Sequence, residues 1–61
     1  MPNLTTKELS ALEDQIGQEQ TLVKKYRHLA ELSQDKKIQA SMNDFATKHE
    51  AHAATLMKFL G

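Results

Sequence analysis

Apolar residues recur along the first half of the chain at Leu9, Leu12, Ile16, Val23, Tyr26 and Ala30, in steps of three and four. That rhythm puts these side chains on one face and predicts a helix packed against a partner. It has one gap, and Glu19 fills it. Thr5 followed by Glu8 predicts a capping box at the start, and Leu4 with Leu9 has the spacing of a hydrophobic staple, so the first helix should cover about 6–32. The polar stretch Ser33-Gln34-Asp35 breaks the periodicity and predicts a turn at about 33–35. Asp35 is then the N-cap of a second helix over about 36–60. Its inward positions are Ile38, Met42, Phe45, His49, His52, Leu56 and Phe59, and Gly61 follows the last apolar turn as a stop signal.

A short connection makes the two helices antiparallel neighbours. With the turn centred near Gln34, facing residues should have numbers totalling about 68. This register pairs Leu9 with Phe59, Leu12 with Leu56, Ile16 with His52, Glu19 with His49, Val23 with Phe45, Tyr26 with Met42, and Ala30 with Ile38. The polar pair falls at the middle of the seam. A second apolar strip flanks it, formed by Leu22 and Leu29 on one helix and Ala46, Ala53 and Leu60 on the other. A lone hairpin cannot cover that strip. The expected architecture is therefore all-α: one domain over residues 1–61, an antiparallel helical hairpin that dimerises into a four-helix bundle. Gly17 falls on the outward side of the first helix and marks a bend, a close approach by a neighbour or a tolerated surface position. The single proline, Pro2, is expected outside both helices.

Chain length sharpens the case for self-association, because 61 residues bury too little surface to make a robust isolated fold. The sequence has no cysteine, so disulfides and thiolate ligands are excluded and any metal would rest on nitrogen and oxygen. Eight basic residues balance eight acidic ones, which argues against a nucleic-acid partner or an anionic membrane surface. The basic runs Lys24, Lys25, Arg27 and Lys36, Lys37 read as solvated faces. Met1-Pro2-Asn3-Leu4 has neither a charged nor an apolar leader character, and no apolar run is long enough to cross a bilayer. The expectation is a soluble, cytoplasmic protein.

An ionised carboxylate in an apolar seam is unfavourable unless it is protonated, paired with a cation or bound to a metal. His49 and His52, three residues apart, present two imidazoles on one helix face opposite Glu19. Two imidazoles and a carboxylate suit a transition metal: zinc or iron foremost, with manganese, copper, nickel or cobalt also compatible. Glu19, His49 and His52 are thus the candidate ligands. Two other readings stay open. A buried Glu/His layer can serve only to fix helix register in a structural or assembly protein, and an open metal position can support an oxidase-, peroxidase- or hydrolase-type activity. His28 and Glu50 are expected on the surface, Met42 and Phe45 in the core. Tyr26 is expected to be a core aromatic with a partnered hydroxyl, a redox role being the lesser alternative.

The segments Leu4-Thr5-Thr6-Lys7-Glu8-Leu9, Leu12-Glu13-Asp14, Gly17-Gln18-Glu19-Gln20, Lys25-Tyr26 and Ala46-Thr47-Lys48-His49-Glu50-Ala51-His52 resemble short spore-coat proteins of the Coat F type, within the ferritin-like superfamily. The resemblance spans nearly the whole chain and is more specific in its first half. It implies a bundle of two hairpins around a di-metal centre, a homodimer or higher homo-oligomer, other coat proteins as partners and a location in the spore coat. Glu19 matches the glutamate of the first helix in that pattern and His52 the final histidine of its Glu-x-x-His element. His49 departs from it, standing where a bridging glutamate is usual. The substitution lowers the negative charge of the ligand set, which weakens the case for a conventional di-iron oxidase and makes one metal per hairpin, or a single shared metal, plausible.

Overall fold

The computed structural model describes residues 3–61, so Pro2 lies outside the described residues. Helix α1 spans Thr6–Leu32 and helix α2 spans Lys36–Met57. The chain then tightens into a single 3-10 turn, Lys58–Leu60, before Gly61, whose φ of 111° takes the left-handed conformation that glycine accommodates without strain. The two helices pack against each other as a hairpin, and no strand occurs among the described residues.

Local chemistry fixes both helix starts. The Thr5 hydroxyl accepts the Glu8 backbone N–H at 3.0 Å, and the Glu8 carboxylate accepts the Thr5 N–H at 3.0 Å, which completes the expected capping box. This contact holds the Glu8 carboxyl below its ordinary value. At α2, one Asp35 carboxylate oxygen accepts the amides of Lys37 and Ile38 at 2.8 and 3.1 Å. The connection satisfies its own backbone as well. The Ser33 N–H donates to Leu29 and Ala30, the Asp35 N–H donates to the Ser33 hydroxyl, and the Gln39 amide donates to the Ser33 carbonyl at 2.8 Å.

On α1 the buried residues are Ile16, Glu19 and Ala30, with Leu12, Val23 and Tyr26 half-buried, all on the face the periodicity marked. Helix α2 differs. Its buried residues are Ala46 and Ala53, which the apolar pattern had assigned to the flanking strip, while Ile38, Phe45 and Phe59 of the expected seam are 50%, 41% and 47% exposed. Phe45 is therefore not a core residue of the hairpin. Two helices meeting without a further layer approach most closely where side chains are small, and the bulky residues move to the rim. Met42, His49 and Leu56 lie near both stripes and remain half-buried. Gly17 is half-buried too, and a Cβ placed there would meet nothing within 4 Å, so no close approach within the hairpin requires glycine.

Candidate metal centre

Helix α1 carries Glu19 toward α2, and His49 and His52 come from successive turns of α2. The His49 Nδ1–H donates to Glu19 Oε1 at 2.5 Å, and His52 Nδ1 stands 3.5 Å from Glu19 Oε2. Gln15, one turn before Glu19, donates its side-chain amide to Oε2 at 3.5 Å. One donor atom from each of Glu19, His49 and His52 lies within 4.8 Å of the others, the one such grouping among the described residues. The Glu19–His49 pair is the one the sequence register predicted, whereas Tyr26, expected opposite Met42, lies against Phe45 and His49.

The three side chains occupy different depths. Glu19 is almost covered, His49 is half-buried, and the His52 side chain is 59% exposed. An open groove of about 360 Å³ lined by Gln15, Glu19, His52, Thr55 and Leu56 leads to the carboxylate. The hydrogen bond from His49 holds the Glu19 carboxyl below its ordinary value; burial opposes this shift, and the histidine charges and Gln15 add to it. Glu19 is thus poised as an anion in a position where carboxylates seldom sit unpaired.

Aromatic rings frame His49. The Tyr26 ring lies parallel to it, with 2° between planes and centroids 5.6 Å apart, while His52 meets it edge-on at 5.5 Å. Phe45 packs against Tyr26 at 5.4 Å. The sequence placed Tyr26 in the core but gave no sign of this stacking. The Gln15 contact follows the ordinary one-turn spacing on a helix and could have been anticipated from it.

The donor set suits a transition ion, and the three residues lie close enough to hold one. Ligands bound tetrahedrally at about 2.0–2.2 Å are separated by roughly 3.3–3.6 Å. His52 Nδ1 already stands at that spacing from Glu19 Oε2, whereas His49 approaches the other carboxylate oxygen, Oε1. The 2.5 Å contact between His49 and Glu19 is a hydrogen-bond distance, and it must open by about 1 Å if both Nδ1 and Oε1 are to ligate. Within the hairpin three ligands are at hand, leaving coordination positions for water or a further group.

The remaining sequence candidates lie elsewhere. His28 is exposed, as is Glu50, which is held by Arg27 at 2.5 Å on the opposite side of the hairpin seam; Arg27 also donates to Asn43 at 2.9 Å. No helix among the described residues is long and apolar enough to cross a membrane. Compared with known proteins, the chain matches no family model, and no curated protein or solved structure is significantly similar to it.

Proposed function

We propose that this chain is a small metal-binding protein whose hairpins pair into a homodimeric four-helix bundle, with Glu19, His49 and His52 as ligands of a transition metal, zinc or iron foremost. The observation that carries this reading is the convergence of two imidazoles and a shielded carboxylate within 4.8 Å. A bound ion would supply Lewis-acid or redox chemistry there. Of the chain's own groups, Glu19 provides the compensating charge, His49 and His52 provide neutral nitrogen donors, and the groove beside His52 admits an outside ligand. The resemblance to Coat F-type proteins agrees with a ferritin-like bundle and adds a spore-coat setting to the proposal.

Surface area supports the dimer. A compact protein of 6.9 kDa should expose about 4,000 Å². This hairpin exposes 4784 Å² and measures 47 × 15 × 10 Å. The excess of roughly 800 Å² equals what each partner contributes to an interface of standard size. The surface that supports this pairing is the exposed stripe of Ile38, Phe45 and His52 on α2 and Phe59 in the turn after it, spaced by seven, with Leu22 and Leu29 of α1 across the seam. A second copy covering that stripe shelters the His52 side of the site.

The test is elemental analysis of protein purified without chelator or affinity tag, together with sedimentation. A stoichiometric transition metal, lost in His52→Ala, and a dimer that becomes a monomer in Phe45→Glu are the expected results. Native protein that is metal-free and takes up no metal when zinc or iron is supplied refutes the proposal. A specific observation favours a second reading: every buried side-chain nitrogen and oxygen among the described residues already has a hydrogen-bond partner. On that reading the polar layer only fixes register in a structural protein, and replacing Glu19, His49 and His52 together by apolar residues preserves assembly and stability.

A further inference from the structure

Resting on the metal-binding reading, we infer that Tyr26 is the positioning residue of the site: its ring holds the plane of the His49 imidazole so that the ligand nitrogen stays directed at the ion. Imidazole binds a metal along the in-plane lone pair of its nitrogen, so rotation of the ring misdirects the donor. In the hairpin as it stands, two contacts set that plane: the hydrogen bond to Glu19 at 2.5 Å and the parallel stack on Tyr26, 2° between planes. The first cannot survive if Nδ1 and Glu19 both ligate one ion, because the proton between them must leave and the atoms must separate. The stack uses neither the Nδ1 proton nor the in-plane lone pair of the imidazole, so loss of the hydrogen bond does not by itself abolish it. Its own support comes from Phe45 at 5.4 Å and from the half-buried position of Tyr26 on the inward face of α1. The edge contact from His52 cannot substitute, since His52 is more exposed and is itself a proposed ligand.

The experiment is a cobalt(II) titration of the full chain and two variants, read by the visible cobalt band and by tyrosine emission, which reports Tyr26 alone because the chain has one tyrosine and no tryptophan. Wild type should bind with quenching of that emission. Tyr26→Phe retains the ring and should keep the cobalt band with affinity within about threefold, whereas Tyr26→Leu should bind about tenfold or more weakly with an altered band. Tyr26→Leu matching wild type in affinity and spectrum overturns the inference while leaving the metal site standing; a wild-type chain that binds no cobalt and no zinc overturns both. Should Tyr26→Leu fail to fold, zinc-loaded wild type decides the matter through the nuclear Overhauser contact between the Tyr26 and His49 ring protons. Its persistence supports the positioning role, and its disappearance on zinc binding refutes it.

Discussion

Replacing Ala46 by leucine tests where the helices touch. Ala46 has no accessible surface in the hairpin, and Ala53, seven residues on, is 5% exposed, so this stripe is the covered face of α2. Extra carbons at such a position must force the helices apart or drive neighbouring side chains off their rotamers, at a cost of about 1–3 kcal/mol. The upper half of that range applies because both partners are long helices, 27 and 22 residues, that move as units rather than relaxing locally. A chain of this length has a total stability of only about 3–9 kcal/mol. A loss of about 2 kcal/mol lowers the melting temperature by roughly 8–16 °C in so small a domain. Thermal unfolding followed by circular dichroism, at one protein concentration for all variants because assembly shifts the apparent value, measures it. Ala51→Leu, at an exposed position of α2, is the control and should change stability by no more than about 0.5 kcal/mol. An Ala46→Leu protein as stable as wild type would falsify the placement of the seam.

Other consequences follow from single contacts. Thr5→Ala removes one half of the capping box and should cost about 1 kcal/mol, seen as a lower melting temperature and faster amide exchange confined to the first turn of α1. The folded-state Glu19 carboxyl sits below its ordinary value, so the stability it contributes is fully present above about pH 4.5 and is lost as pH falls through the depressed value. Metal-free wild type should therefore lose urea resistance below pH 4.5 more steeply than Glu19→Gln; identical pH profiles would show that the carboxylate is not held by His49 in solution. Because the Arg27 and Glu50 side chains are 41% and 53% exposed, a double-mutant cycle between them should give a coupling of less than about 1 kcal/mol, shrinking in high salt.

The features that were legible in the sequence share a physical reason: each depends on few residues. Thr5 with Glu8, and Asp35 with the amides after it, are closed by the chain within three residues, so local pattern suffices to place both helix starts. The Glu19–His49 contact joins distant positions, yet two stiff rods and a short turn leave a single offset to determine, and arithmetic on the register finds it. The rotation of α2 about its axis is a different matter. Ile38, Phe45, His52 and Phe59 repeat every seven residues, as do Ala46 and Ala53 beside them. Either stripe can face α1 without changing the offset, and bulk favours the first as the core. Close packing of only two helices selects the alanines instead.

Apolar periodicity records every surface a residue covers over the lifetime of the protein, whether by its own chain or by another. The hairpin accounts for the alanine stripe and leaves Phe45 and Phe59 almost half open to solvent. These aromatic side chains lie at heptad spacing on the same line as His52, a ligand candidate, and they form the surface that the proposed dimer would cover. The mismatch between seam and stripe is a rotation of α2 that the sequence reading missed, and it leaves the bulky residues free for the proposed partner. The alanines bring Glu19 within reach of His49 inside one chain, and the aromatic stripe is the surface on which a second chain would close the exposed side of the site.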